Sequence, residues 1–184
     1  MNMALYQPGL GYYSGGLQKF GERGDFITAP EVSPFFGQCL ANQIAEVFQN
    51  FRSDADDSVS LLEFGAGSGI LAVDILLALE KLGELPQRYM ILELSAELKQ
   101  RQQDKICDRA PHLLERVVWL DQLPDDMSNV VVVANEVLDA MPVTVFDITG
   151  TGIDTLMIGF EHDQLVSRYL PADAEIEDMV AQIQ

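Results

Sequence analysis

The stretch Glu63-Phe64-Gly65-Ala66-Gly67-Ser68-Gly69 stands between two apolar segments that differ in periodicity. The segment before it, 59–64, has the length of a buried strand, and the segment after it carries leucine and isoleucine at helical spacing as far as Leu82. Glycine at such a turn lets the backbone bend tightly and lets a ligand come close. A glycine-rich turn after a first strand is the usual site of a nucleotide-like ligand in a doubly wound α/β domain, so we predict that fold here.

Three more short apolar segments follow, separated by helical or polar stretches. The last contains four consecutive valines, Val130–Val133, and is predicted to be a fully buried strand. Such segments in alternation with helices indicate a mostly parallel sheet that is covered on both faces. In the order 3-2-1-4, the first and fourth strands are neighbours, and the loops at their carboxyl ends share one crevice. The four predicted strands are 59–64, 89–94, 116–120 and 129–134.

The two ends of the chain carry different patterns. Residues 1–32 are rich in glycine, tyrosine and proline with little periodicity, which predicts a structured loop region. An amphipathic helix follows and ends near Arg52. Toward the C-terminus the sequence predicts hairpin strands and a final short helix. These segments are 144–148, 155–160, 165–169 and 174–184.

The spacing of the loop glycines separates two classes of ligand. A nicotinamide dinucleotide motif, G-x-G-x-x-G, would need its third glycine at position 70, where the chain has isoleucine. The observed pattern, E-x-G-x-G-x-G, is instead typical of S-adenosylmethionine enzymes. Glu63, Gly65, Gly67 and Gly69 are therefore predicted to bind S-adenosylmethionine, with a plain turn as the alternative. We expect residues 1–52 to pack over this site and residues 59–184 to form the cofactor-binding Rossmann-like domain.

Acidic and amide side chains follow the other predicted strands. Glu93 ends the second strand, where a carboxylate can accept both ribose hydroxyls, and Asp121 follows the third strand, within predicted reach of the adenine amino group. After the fourth strand, Asn135 is predicted to face the cofactor, and Glu136 and Asp139 to face its methyl group. The alternative for this last segment is an ordinary helix start capped by Asn135.

The composition excludes several classes of function. A net charge of −18 repels nucleic acid and anionic membranes and favours a cationic partner. No segment approaches the roughly 20 apolar residues of a membrane span, and the first residues lack a basic stretch followed by an apolar one, so we expect neither a membrane span nor a secretory signal. Two cysteines and two histidines, widely spaced, predict neither a disulfide framework nor a metal site. We expect a cytoplasmic protein without a metal.

Taken in order, these motifs resemble one family, the MidA-like methyltransferases, relatives of the mitochondrial protein-arginine methyltransferase that helps to assemble respiratory complex I. The glycine loop is common to many methyltransferases. The segments G-D-F-I-T-A-P-E at 24–31 and N-E-V-L-D-A-M-P at 135–142 are far more specific. The matching stretches are 4–6, 11–13, 20–21, 24–33, 36–37, 63–69, 93–95 with Leu98 and Gln102, 135–136 and 139–142.

This resemblance implies a class I S-adenosylmethionine-dependent methyltransferase fold and methyl transfer to an arginine of a protein substrate. It would place the protein in the mitochondrial matrix if the chain is eukaryotic. An arginine side chain stays protonated, so carboxylates are expected to hold it by charge-assisted hydrogen bonds. Glu136 and Asp139 are the candidates for this role, and Glu31 is the third.

The chain departs from the family pattern at several positions. Ala96 replaces a proline, Val137 and Leu138 replace an aromatic pair, and Met141 replaces a leucine. These exchanges are small or apolar, so cofactor binding is expected to persist, while the wall on the substrate side differs. The family's domain is also longer, so we expect this chain to be a truncated fragment.

Two other functions remain alternatives to the arginine methyltransferase. The first is a nicotinamide-dependent oxidoreductase, which Ile70 disfavours. The second is a non-catalytic binding or assembly protein that keeps the cofactor fold.

Overall fold

The computed structural model describes residues 1–7, 9–15, 28–51 and 58–183. They divide into two compact units, Asn2–Met141 and a smaller unit of Met1 with Pro142–Gln184. This division differs from the predicted ranges 1–52 and 59–184. The roles assigned to those two ranges stay a prediction.

The larger unit consists of helices and parallel strands. Its helices are Asn2–Tyr6 (α1), Ala29–Val32 (α2), Phe35–Phe51 (α3), Ile70–Leu82 (α4) and Ala96–Arg109 (α5). Its strands are Ser60–Phe64 (β1), Arg88–Leu92 (β2), Val117–Leu120 (β3) and Val130–Ala134 (β4). Two 3-10 helices, Pro111–Arg116 and Leu138–Ala140, precede β3 and follow β4.

The four strands form one parallel sheet in the order β3-β2-β1-β4, which confirms the predicted fold. Phe64 at the end of β1 pairs with Ala134 at the end of β4. Because both strands end side by side, the glycine loop and the loop that begins at Asn135 leave the same edge of the sheet.

The core lies where β1 and β2 meet the helices. Its largest buried side chains include Phe48 of α3, Ile75 and Leu76 of α4 and Tyr89 of β2. Gly83, with φ +73°, ends α4 in the left-handed conformation, as its position after the apolar segment predicts. Together these contacts anchor the two strand ends that carry the site.

Two predictions about the larger unit are wrong. β4 is not fully buried, since Val132 is 47% exposed and only Val133 is buried. β4 is the outermost strand of the described sheet, and side chains there have fewer neighbours. Residues 1–32 are not only loop, since α1 and α2 lie within them; helices this short carry too few residues to show a 3.6-residue period. Positions 16–27 lie outside the described residues.

The smaller unit is an antiparallel sheet with one helix. Strands Phe146–Thr149 (β5), Gly152–Glu161 (β6) and Gln164–Pro171 (β7) pair in that order, and helix α6 is Ala174–Ile183. The observed strands overlap all three predicted hairpin strands, and β6 begins three residues earlier than predicted. No helix in the described part of the chain is long and apolar enough to cross a membrane.

Candidate cofactor and catalytic site

The glycine loop between β1 and α4 has a backbone that other residues adopt only with strain. Gly65, Gly67 and Gly69 have φ angles of +59°, +53° and +83°. A Cβ at Gly69 would also lie 3.0 Å from the Cα of Gln102 on α5, so the loop is pressed against that helix. At Gly65 a Cβ would meet no atom within 4 Å, which leaves open space on that side of the loop.

Glu31, the third catalytic candidate, lies beside this loop. The hydroxyl of Ser68 donates a hydrogen bond to the Glu31 carboxylate. The Ser68 hydroxyl oxygen also accepts a hydrogen bond of 3.3 Å from the backbone N–H of Ile70. α2 therefore holds the turn between β1 and α4. This contact could not be predicted from the sequence, because residues 37 positions apart share no local pattern.

Glu63 is buried, with 2% of its surface exposed. Its carboxylate accepts a hydrogen bond of 2.8 Å from the hydroxyl of Tyr89 on β2. Burial raises the pKa of Glu63 to about 7, against the lowering effect of the Tyr89 hydrogen bond, and the charge of Glu93 adds to the rise. The predicted contact between Glu63 and the cofactor stays a prediction.

Glu93 is 6% exposed and is held by two donors. Its Oε1 accepts from the backbone N–H of Ser95 at 2.9 Å, and its Oε2 accepts from Nε2 of Gln102 at 3.1 Å. Burial raises the pKa of Glu93, while these hydrogen bonds and the nearby Lys99 lower it. A carboxylate oxygen can accept more than one hydrogen bond, so both oxygens keep capacity for a ribose diol.

Asp121 follows β3, as the sequence predicts, but points to solvent. Its side chain is 86% exposed and forms an ion pair with Lys99 on α5. The predicted contact with adenine stays a prediction, and it would require the carboxylate to share or leave Lys99.

The segment after β4 carries the remaining candidates. Asn135 is half-buried, and Glu136 and Asp139 are exposed. The helix-cap alternative is wrong, since only the 3-10 helix Leu138–Ala140 forms here, with Val137 at its N-cap and no side-chain cap bond. A regular helical turn from Asn135 to Asp139, which would place these side chains on one face, is also absent. Glu136 has a φ of +51°, in the left-handed region, which interrupts it.

A non-glycine residue in the left-handed region costs about 1 kcal/mol or more, and such residues cluster at functional sites. The role of Glu136 in the site stays a prediction, since Asn129, His162 and Asp163 adopt the same left-handed conformation in turns. This backbone conformation is visible only in the tertiary structure.

Tyrosines of the N-terminal segment connect the ends of β2 and β4. The hydroxyl of Tyr6 donates to the carbonyl oxygen of Ala140 at 2.7 Å. The hydroxyl of Ser95 donates to the carbonyl oxygen of Tyr13 at 3.1 Å, and the rings of Tyr6 and Tyr13 stack with centroids 5.4 Å apart. The N-terminal segment therefore contacts both the loop after β2 and the loop after β4.

Charged groups of the candidate site affect the pKa values of these two tyrosines. Burial raises the pKa of Tyr13, and the carboxylate of Asp139 raises it further. Burial also raises the pKa of Tyr6, with smaller contributions from Tyr13 and Glu93. Tyr6 and Tyr13 lie in the stretches 4–6 and 11–13 of the family resemblance, but no local pattern predicts a role for them.

Cys39 and Cys107 are free and exposed, and within the described ranges no three His, Cys, Asp or Glu side chains cluster as metal ligands would. A parallel sheet with order 3-2-1-4, a left-handed glycine loop after β1 and a buried carboxylate after β2 define a doubly wound domain that binds a nucleotide-like cofactor, the class to which S-adenosylmethionine-dependent methyltransferases belong.

The chain belongs to a family of S-adenosyl-L-methionine-dependent methyltransferases, whose sequence profile matches residues 39–184. This membership confirms the predicted cofactor and overturns the nicotinamide alternative. Over 163 residues the chain is 31% identical to a Drosophila melanogaster relative named "Protein arginine methyltransferase NDUFAF7 homolog, mitochondrial". A Caenorhabditis elegans relative of the same name is 27% identical over 183 residues.

Solved structures support the same membership. A superfamily member from Burkholderia thailandensis, described as a "likely methyl transferase" and bound to S-adenosyl-homocysteine, is 43% identical, with a TM-score of 0.80 over 100% of this chain. A second Burkholderia thailandensis structure is 41% identical, with a TM-score of 0.77 over 98% of this chain. The chain spans 36% and 42% of the fly and worm relatives and 47% of the first structure.

Proposed function

We propose that the protein transfers the methyl group of S-adenosylmethionine to an arginine nitrogen of a protein substrate. The observation that carries this proposal is the pair of exposed carboxylates, Glu136 and Asp139, in the loop that leaves β4 beside the glycine loop. The names of the fly and worm relatives support arginine as the acceptor.

The cofactor, when bound, supplies a methyl group on a positively charged sulfur. Glu93 would accept hydrogen bonds from its ribose, and the glycine loop would lie against its amino-acid end. Glu136 and Asp139 would hold the guanidinium through charge-assisted hydrogen bonds, so that one nitrogen faces the methyl carbon. Asp139 would also accept, on a carboxylate oxygen, the proton that the arginine nitrogen releases on methylation.

Glu31 has a different role in this proposal. Its carboxylate already accepts the hydroxyl of Ser68, so it holds the glycine loop in place. A direct contact between Glu31 and the guanidinium would have to compete with that hydrogen bond.

The charge of the chain suits the proposed substrate. With a net charge of −18, the protein attracts a cationic protein segment and repels nucleic acid. We propose a cytoplasmic location, or the mitochondrial matrix for a eukaryotic chain, where the two exposed cysteines stay reduced.

The test is transfer of a labelled methyl group from S-adenosylmethionine to a basic peptide that contains arginine, beside the same peptide with lysine. We expect label on the arginine peptide only. Asp139→Asn should lower the rate roughly 100-fold and leave cofactor affinity within about threefold, because it removes a charge that acts on the substrate. Asp108→Asn, an exposed change on α5, is the control.

Each other outcome has a meaning. Equal transfer to the lysine peptide would contradict the arginine specificity. Binding of S-adenosylhomocysteine without transfer to any substrate would favour the non-catalytic binding protein. Loss of cofactor and fold together in Asp139→Asn would give this segment a structural role.

A further inference from the structure

Gln102 on α5 is a polar side chain with no exposed surface, and its amide forms hydrogen bonds with three neighbours. Its Nε2 lies 3.1 Å from Oε2 of Glu93 and 3.2 Å from the carbonyl oxygen of Gly67. Its Oε1 lies 2.9 Å from Nε1 of Trp119 on β3. One amide thus contacts the carboxylate after β2, the glycine loop and the next strand.

The chemistry of the neighbours decides which way this amide faces. The indole N–H of Trp119 can only donate, so the atom beside it must be the amide oxygen. The NH₂ group then faces Glu93 and Gly67, and its two hydrogens match two acceptors. No other orientation of the Gln102 amide satisfies all three neighbours.

The backbone of Gln102 acts on the same loop. A Cβ at Gly69 would lie 3.0 Å from the Gln102 Cα. The glycine loop and α5 therefore pack so closely that no side chain fits at position 69 unless one of them moves. Side chain and backbone therefore hold the loop from two directions.

We propose that Gln102 is a positioning residue. It holds the glycine loop and Glu93 at a fixed distance from each other, so that the two ends of the cofactor can bind to them at the same time. The proposal rests on the assignment of Glu93 and the glycine loop to the cofactor. Gln102 itself need not touch the cofactor. Its effect passes through the orientation of Glu93 and through the carbonyl of Gly67.

The decisive variant is Gln102→Glu, which keeps the shape and the acceptor for Trp119 but replaces the NH₂ group with an oxygen. The introduced carboxylate would then face the carboxylate of Glu93 and the carbonyl of Gly67. We expect affinity for S-adenosylhomocysteine, measured by calorimetry on the 184-residue protein, to fall at least tenfold relative to wild type near pH 8.

Measuring cofactor affinity at two pH values distinguishes a positioning role of Gln102 from a role in packing alone. Near pH 5.5 the introduced carboxyl group takes up a proton and can donate to Glu93, so the deficit should shrink to about threefold or less. Glu93 itself feels the charges of Glu63, Tyr6 and Lys99. Glu63, Tyr6 and Lys99 are present in both wild type and Gln102→Glu. The ratio of the two affinities at each pH therefore reports the effect of the substitution at position 102.

The adjacent variant Gln103→Glu makes the same change of charge at an exposed position and should bind like wild type. Equal affinity of the two variants near pH 8 would overturn the proposal, as would a deficit in Gln102→Glu that does not change with pH. If Gln102→Glu fails to fold, Trp119→Phe takes its place. It frees the amide to rotate and should weaken binding about two- to fivefold, and unchanged affinity would overturn the proposal.

Glu93→Ala in the same titration tests the underlying assignment. If it binds like wild type, Glu93 is not a cofactor ligand and the site assignment fails. If it binds weakly while Gln102→Glu binds like wild type, only the positioning role of Gln102 fails.

Discussion

The hydroxyl of Tyr89 donates a hydrogen bond of 2.8 Å to the carboxylate of Glu63, and both side chains are buried at the centre of the sheet. Burial raises the pKa of both groups, that of Glu63 to about 7. The strand that carries the glycine loop therefore ends in a carboxyl group that changes its charge near neutral pH.

This titration predicts a pH-dependent stability. The pKa of Glu63 is about 7 in the folded protein and 4.5 as its ordinary value, so the folded state binds the proton more tightly. The stabilisation is complete below the ordinary pKa and is lost as the pH rises through 7. Glu63→Gln stays neutral and still accepts from Tyr89, so the variant should gain up to about 3 kcal/mol over wild type between pH 5 and pH 8.

Urea unfolding of both proteins at several pH values measures this difference. Glu93 and Tyr89, the titratable neighbours of Glu63, are present in both proteins, so the difference reports Glu63. A stability difference that stays constant with pH would show that Glu63 does not titrate in this window.

The glycine loop allows a matched pair of substitutions. Gly69 and Gly83 both have left-handed backbones, with φ of +83° and +73°, but a Cβ at Gly83 would meet no atom within 4 Å. Gly83→Ala should cost about 1 kcal/mol for backbone strain alone. Gly69→Ala should cost about 1–3 kcal/mol more, since the loop or α5 must move. Thermal unfolding compares the two variants, and equal losses would contradict the close packing against Gln102.

Glu93 should contribute to cofactor affinity through its charge. Glu93→Ala removes the proposed hydrogen bonds to the ribose, so binding of S-adenosylhomocysteine should weaken by about 1–3 kcal/mol. Calorimetry measures the change, and Glu115→Ala, which removes an exposed carboxylate, should leave affinity unchanged. If NADH bound more tightly than S-adenosylhomocysteine in the same experiment, the cofactor assignment would be wrong.

The hydrogen bond from Tyr6 to Ala140 should hold the N-terminal segment against the loop after β4. Tyr6→Phe keeps the ring that stacks on Tyr13 and removes the hydroxyl, a loss of about 0.5–1.5 kcal/mol. Hydrogen exchange should rise in residues 2–15, while Tyr169→Phe on β7 should leave those residues unchanged. Unaltered exchange in Tyr6→Phe would mean that other contacts hold the segment.

Much of the fold could be predicted because its signals are local. Short β-branched segments, helical spacing and left-handed glycines act through neighbours in sequence, and these located all four parallel strands and their order. The burial of β4 was predicted wrongly for the same reason. The run of valines indicates only that Val132 favours the protein interior. The position of β4 at the edge of the sheet decides how exposed Val132 is.

The sequence by itself determined the sheet, the glycine loop and the class of cofactor. Tertiary structure alone decided which side chains meet around them: Tyr89 with Glu63, Gln102 with Gly67 and Glu93, and Tyr6 with Ala140, which is 134 residues away. Hydrogen bonds of this kind depend on distances near 3 Å between atoms from separate elements. Those distances are set by how the helices pack on the sheet, and no local pattern encodes them.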